Sequence, residues 1–296
     1  MKNITHRQFS VLGDCPAIYE FMTEIYERDW RNGVPAPFFE YAFASFDSWM
    51  DISTSYKNRI WYDGSRIVGF CFTEVPATDS YFSLRPGYEE LAEEIIKYAD
   101  ESMNGGIEDK QFILLLSQTA LIDAAKALGY SQVYQWTDMD IDFSKKELDY
   151  PLPDGFRFVP YEEADIEKID KCCWKGFDHE ADEGPWESSP KDQASYQIDV
   201  APHATPELNV VIEDTATGEY ACYSGMWWVP ANKLAYMEPL CTVPEYRHNG
   251  LAAAALSEHY RQMKALGATH MTGGNDQFYA KIGYEPSVTF THWKKV

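Results

Sequence analysis

Apolar positions recur every three or four residues from Cys15 to about Trp30, with Ile18, Phe21, Met22 and Ile25 on one face, a spacing that predicts an amphipathic helix. A second helix is expected from Pro37 to Met50. The pattern then turns to strands. Arg59-Ile60-Trp61-Tyr62 and the run Arg66 to Phe72 flank Asp63-Gly64, a pair suited to the tight turn of a hairpin. A strand near Tyr81–Leu84, a helix near Tyr88–Met103, a buried strand Phe112–Leu116, a helix Leu121–Leu128 closed by Gly129 and a strand Val133–Phe143 complete the first half.

Lys145 to Asp154 is polar and carries Pro151 and Pro153, which suits a linker. The same order of elements then starts again. Phe156–Val159 reads as a strand and Ile166–Phe177 as a helix; Leu208–Ile212 and Tyr220–Val229 read as a hairpin around Thr217-Gly218. A strand Leu234–Thr242, a helix Leu251–Leu266 closed by Gly267, a strand Thr269–Thr272, a short helix around Gln277–Ile282 and a last strand Val288–Lys294 follow. Element order therefore predicts two copies of one α/β (α+β) unit, each a twisted mixed sheet flanked by helices, over residues 1–144 and 154–296. Residue identity between the halves is weak.

Composition narrows the function. The 296 residues are 45% hydrophobic and 24% charged, as in ordinary globular domains. The net charge is −22, with 25 acids against 13 bases in residues 1–150 and 22 against 12 in the rest. Both halves are acidic, which argues against nucleic acid and anionic membrane as partners, because phosphate neutralisation needs clustered Lys and Arg. A cationic small substrate would be attracted; equally, the acidity serves solubility. No apolar run reaches the ~20 residues of a membrane span, and the first residues lack the apolar core of a signal peptide, so a cytoplasmic location is expected. The six cysteines form no C-x-x-C pair and no zinc spacing, which predicts reduced, mostly buried thiols and no metal.

The chemistry concentrates in Leu240-Cys241-Thr242-Val243-Pro244-Glu245-Tyr246-Arg247-His248-Asn249-Gly250-Leu251-Ala252, an apolar strand that passes through a tight turn into an Ala-rich helix. A helix N-terminus presents unpaired N–H groups and the positive end of its dipole, so it can hold a phosphate with few basic side chains. Gly250 lets backbone and phosphate approach closely, and small Ala252 keeps the first turn open. Leu256, Tyr260 and Met263 recur at helical spacing and can pack the helix on the sheet.

Arg247-x-x-Gly250-x-Ala252 resembles the Arg/Gln-x-x-Gly-x-Gly/Ala turn of the GNAT N-acetyltransferases. Its flanks are similar to the family as well: Leu240-x-x-Val243-Pro244-x-Tyr246 before the turn, Leu256 on the helix after it, then Asn275 and Phe278-Tyr279-x-Lys281-x-Gly283-Tyr284. The resemblance covers the second half and implies acetyl-CoA as co-substrate. Backbone groups of Leu240, Cys241, Thr242 and Val243 would bond the pantetheine arm. Those of His248, Asn249, Gly250, Leu251 and Ala252 would take the pyrophosphate, with Arg247 adding charge. Asn275 would contact the pantetheine arm, or else is a turn residue after Gly273-Gly274. Asn275 and Tyr279 stand only four apart, closer than in many members.

The reaction implied is attack of a free amine on the acetyl thioester, which requires a deprotonated amine, an oxyanion donor and a proton for the departing sulfur. Tyr279 matches the family's proton donor; its alternative role is as a packing aromatic. Glu238 is the candidate base, since strand alternation would put Glu238, Leu240 and Thr242 on one face; the alternative is an ion-paired Glu on a sheet face. His179 is a second candidate base. With Glu180 and Trp186 it belongs to the segment between the first two helices of the second half, where family members bind acceptors. Acidic groups and an indole there would suit an ammonium, although such a charge run also occurs as a solvated loop.

The matching turn of the first half reads Ser83-Leu84-Arg85-Pro86-Gly87-Tyr88-Glu89-Glu90, without the Arg-x-x-Gly-x-Ala pattern. Glu89 and Glu90 would occupy the field that CoA phosphates need. A degenerate first domain before an intact second resembles mycothiol synthase and other tandem GNAT proteins. The expected function is acetyl transfer from acetyl-CoA to a small, cationic amine. An acetyl-CoA sensor and a protein N-acetyltransferase are the alternatives. The sequence is silent on oligomeric state.

Overall fold

The computed structural model describes residues 2–44, 52–74, 78–103, 110–188 and 201–295. The chain divides into two compact units. Unit 1 comprises Met1–Asp138 with Pro286–Val296, and unit 2 comprises Met139–Glu285.

In unit 1, β1 (Ile4–Gln8), α1 (Val11–Ile25) and α2 (Ala36–Ala44) precede the hairpin of β2 (Arg59–Asp63) and β3 (Arg66–Thr73). The turn falls at Gly64-Ser65, one residue beyond the expected Asp63-Gly64: Asp63 still belongs to β2 and pairs with Arg66, and Gly64 adopts φ +59°. The continuation of α2 expected to Met50 lies outside the described residues. β4 (Asp79–Leu84), α3 (Ala92–Tyr98), β5 (Gln111–Leu115), α4 (Thr119–Ala127) and β6 (Tyr130–Asp142) follow. The long helix expected at Tyr88–Met103 is instead three segments, a 3-10 turn Glu89–Leu91, α3, and a wider π turn Ala99–Met103. Trp61, Phe82, Ile95, Ile96, Phe112 and Leu121 fill the core between sheet and helices.

In unit 2, β7 (Phe156–Val159), α5 (Ile166–Gly176), β8 (Val210–Asp214), β9 (Tyr220–Val229), β10 (Leu234–Thr242), α7 (Leu251–Leu266), β11 (His270–Thr272) and α8 (Gln277–Ile282) stand in the expected order, with a short α6 (His179–Asp182) after α5 that the sequence pattern did not predict. The sheet runs β6-β11-β10-β9-β8-β7. Only the last residues of β6 enter it, through pairs such as Ile141 with Met271. Leu256, Tyr260 and Met263 of α7 pack on Met226, Ala235 and Met237 of the sheet, as their spacing requires. The polar stretch 145–154 is held against α7: Leu148 is buried, and the Tyr150 N–H donates to Ser257 Oγ at 3.0 Å.

The last strand, β12 (Glu285–Lys295), belongs to unit 1, where Phe290 pairs with Leu115 and Trp293 with Phe112. The units therefore depart from a linear division at residues 1–144 and 154–296: β6 sends its end into unit 2, and β12 returns to unit 1. Strand pattern alone could not reveal this, because a period of two specifies a buried face and not which neighbour pairs with it.

Candidate functional site

Each unit contains one parallel strand pair, and the two pairs end differently. In unit 2, β10 and β11 pair only at Leu234 with His270 and Ala235 with Met271. Beyond that point β10 continues for seven residues with β9 on its other edge. Met237 is still linked to the β11 side, its N–H donating to Thr272 Oγ1 at 2.8 Å. In unit 1, β4 and β5 likewise pair only at Asp79 with Gln111 and Ser80 with Phe112. There the opening is bridged by the buried amide of Gln118, which donates to the Phe82 carbonyl at 2.8 Å and accepts from the Leu115 N–H at 3.1 Å. Gln118 follows the end of β5 by three residues, and Asn275 follows the end of β11 by three. Asn275 is exposed.

Register corrects one expectation about β10. Met237 pairs with Met226, Leu240 with Ser224 and Thr242 with Cys222, so Met237, Leu240 and Thr242 share a face across a shift at residues 238–239. Glu238 falls within that bulge and off the Leu240 face, because an extra residue in one strand breaks simple alternation. The bulge presses on Gly225 of β9, where an added Cβ would stand 2.2 Å from the Glu238 carbonyl oxygen. The isolated glycine inside the strand Tyr220–Val229 is the sequence signal for that approach. Glu238 is half-buried and accepts from the Tyr236 hydroxyl at 3.4 Å.

At the end of β10, Gly250 caps α7 at φ +85°, and His248 adopts φ +66°. The Ala254 N–H bonds the Gly250 carbonyl, so the N–H groups of Leu251, Ala252 and Ala253 point out of the helix end with no intrahelical acceptor. Leu251 itself is buried against Val210, Ile212 and Cys222 and anchors the helix start. The Asn249 side chain donates to the Tyr246 carbonyl at 3.2 Å. Arg247 is engaged within the protein: it donates to the Thr242 carbonyl at 3.1 Å, to the Gly176 carbonyl at 2.9 Å and to Asp178 at 2.9 Å. It therefore ties the turn to the C-terminal end of α5. The Val243 N–H donates to the Ala221 carbonyl at 3.0 Å.

Tyr279 is 8% exposed, and its ring lies on Gly273-Gly274; a Cβ on Gly273 would meet the ring at 2.7 Å. It shares a core cluster with Ala253 and Leu256 of α7, against which Leu240 packs, so Tyr279, Leu240 and the start of α7 are brought together. The residues of the α5–α6 segment are partly occupied. His179 pairs with Glu183 at 2.8 Å, and its ring lies tilted against Trp174 with centroids 5.1 Å apart. The Trp186 N–H donates to buried Asp170 at 2.9 Å, and Lys171 lies over its ring at 5.9 Å. Glu180 is exposed.

All six cysteines are free thiols. Cys241 faces α5 with its sulfur 3.8 Å from that of Cys173. The contact with Cys241 and then burial push the Cys172 thiol well up from the ordinary range, burial does the same for Cys173, and burial raises Cys222 to about 12, so these groups are neutral packing elements. Gly176 allows the contact, since a Cβ there would lie 2.8 Å from Cys241. Among the described residues no group of His, Cys, Asp and Glu is arranged to hold a metal ion, and no helix is long and apolar enough to cross a membrane.

The turn of unit 1 is filled by its own side chains. The Gly87 N–H donates to Glu89 at 2.9 Å, Lys2 pairs with Glu90 and also donates to the Gly87 carbonyl, and Arg85 is buried between the Ile67 carbonyl and Glu24.

Solved structures decide the architecture. A tandem GNAT protein from the clavulanic acid biosynthesis pathway superposes with a TM-score of 0.61 at 13% identity, covering 98% of this chain and 98% of its own. An acetyltransferase from the GNAT family of Colwellia psychrerythraea gives 0.60 at 11%, over 98% and 100%. A GCN5-related N-acetyltransferase from Sphaerobacter thermophilus gives 0.57 at 13%, over 99% and 95%. This chain has the tandem GNAT fold. No family model and no curated protein sequence matches it. Unit 2 thus has an opened parallel strand pair, and unit 1 has a like pair bridged by Gln118.

Proposed function

We propose that unit 2 of this GNAT-fold protein binds acetyl-CoA and transfers its acetyl group to the primary amine of a small, cationic acceptor. The observation that carries the reading is the opening of β10 from β11 beside a helix N-terminus whose first N–H groups have no intrahelical acceptor. A polar arm can lie along the free edge of β10 as an added strand, and a pyrophosphate can be held by the N–H groups from His248 to Ala252. The Val243 N–H bonds Ala221 of β9, so by alternation the backbone of Cys241 also turns to β9, and Leu240 together with the Thr242 N–H are the backbone partners left on the free edge. Arg247 then acts chiefly by fixing the turn on α5. Asn275, at the place where Gln118 bridges the strands of unit 1, is the amide that bonds the arm.

Acetyl-CoA supplies an activated thioester. Tyr279 belongs to the core cluster against which Leu240 packs, and it donates the proton that the departing sulfur takes. Glu238 accepts a proton from the attacking ammonium, directly or through water, with His179 as the other candidate. Glu180 and the acidic residues around it attract the cation in a chain of net charge −22. The test is release of free thiol from acetyl-CoA against a panel of polyamines, aminoglycosides, amino acids and basic peptides. Release with small cationic amines is expected. Binding of acetyl-CoA without release for any amine would instead identify a sensor, and release only with peptides a protein N-acetyltransferase.

A further inference from the structure

One uncharged stretch of unit 1 is exposed, whereas the longer uncharged runs 111–122 and 220–232 are largely buried. Residues 127–137 contain no charged side chain in a protein of net charge −22. From Ser131 to Gln135 successive residues of β6 are exposed, so both faces of the strand meet solvent; Val133 is 50% and Tyr134 59% exposed. β12 lies beside β6 on one side. Trp136 stacks on Phe290 with ring centroids 4.8 Å apart, and Tyr134 and Trp136 both contact His292. Among the described residues, no strand pairs with residues 131–137 on the other edge, since β11 takes up only Asp140 to Asp142.

An open edge presents a row of backbone donors and acceptors, and proteins normally blunt it with Lys, Pro, inward charge or a covering element. The run Ser131-Gln132-Val133-Tyr134-Gln135-Trp136-Thr137 has no Lys, no Pro and no charge of either sign. We propose that this edge pairs antiparallel with the same edge of a second copy of the chain. Charge selects the occupant. Two chains of −22 repel wherever their acidic surfaces meet, and the neutral strand is where they approach at least cost. Pairing about Tyr134 is two-fold symmetric: it sets Val133 opposite Gln135 and Gln132 opposite Trp136, and no like charges face each other. At ~3.4 Å per residue the shared edge is about 24 Å long. With the Tyr134 and Trp136 rings beside it, the contact is at the small end of specific interfaces, so a weak, concentration-dependent dimer is expected.

Sedimentation velocity of the full chain, up to about 100 µM, tests this at low and high salt. A dimer that grows with concentration and strengthens with salt is expected, because salt screens the repulsion between the acidic bodies. Val133→Lys together with Gln135→Lys sets ammonium groups opposite one another and should leave only monomer, with unchanged circular dichroism and melting. Tyr134→Glu, at another exposed position, serves if that pair perturbs folding. A wild-type chain that stays monomeric in high salt overturns the proposal. So does a dimer that persists in the folded variants or weakens with salt.

Discussion

His259 lies on α7 facing the sheet and is completely buried. Burial lowers its pKa from an ordinary 6.5 to about 4, against the opposing pull of backbone groups of Ser224 and Leu208 and of Glu258. The folded state therefore holds a neutral imidazole between these two values while the unfolded chain takes up a proton. Stability is untouched well above pH 6.5 and falls as pH drops below it, because the unfolded state then binds more protons. Each pH unit in that window costs about 1.4 kcal/mol, so the loss at pH 5 relative to pH 7.5 is about 2 kcal/mol. His259→Leu keeps an apolar side chain of similar size and removes the titration. Urea denaturation of both proteins at pH 7.5 and pH 5 gives the readout as variant minus wild type. That difference cancels other titrating groups, notably Asp138, whose burial raises its carboxyl to about 7 and tilts stability the opposite way. The variant is expected to gain about 2 kcal/mol on wild type between the two pH values. A difference that does not change with pH would mean that the imidazole titrates alike in both states, and the reasoning from burial would be wrong.

Three further outcomes follow from unit 2. Tyr279→Phe should lower turnover at least ~100-fold, with acetyl-CoA affinity little changed, if its hydroxyl protonates the leaving sulfur; equal falls in rate and binding would make it a holding residue. Gly250→Val forces a β-branched residue into φ +85°, where an added Cβ meets nothing but the backbone itself is disfavoured. Calorimetry should show acetyl-CoA binding lost while circular dichroism is retained. Gly225→Ala drives a Cβ to within 2.2 Å of the Glu238 carbonyl oxygen, so thermal or urea unfolding should show a loss of about 1–3 kcal/mol together with weaker acetyl-CoA binding; unchanged values would show that the bulge yields freely.

Local signals carried most of the fold. The helices from Ile166 and Leu251, the hairpin around Thr217-Gly218 and the glycine stops at Gly129 and Gly267 all stand where periodicity and turn chemistry put them, and the hairpin of β2 and β3 turns one residue later than expected. What escaped was set by partners distant in the chain. The return of β12 to unit 1 depends on which edge was left open, and no local pattern records that. Glu238 was assigned to the Leu240 face by counting residues, whereas the bulge against Gly225 reset the count. Arg247 read as a cation for phosphate, yet its acceptors at Gly176 and Asp178 come from a helix some seventy residues earlier. The closing role of Gln118 had no counterpart in the sequence until the two parallel strand pairs could be set side by side.

Titration of the full chain with acetyl-CoA by calorimetry tests the central claim most directly, because the two units offer the same strand pair in two states. An opened pair in unit 2 and a pair bridged by Gln118 in unit 1 predict one binding site per chain. Absence of binding would contradict the assignment of the turn at Gly250, and two equivalent sites would contradict the closure of unit 1.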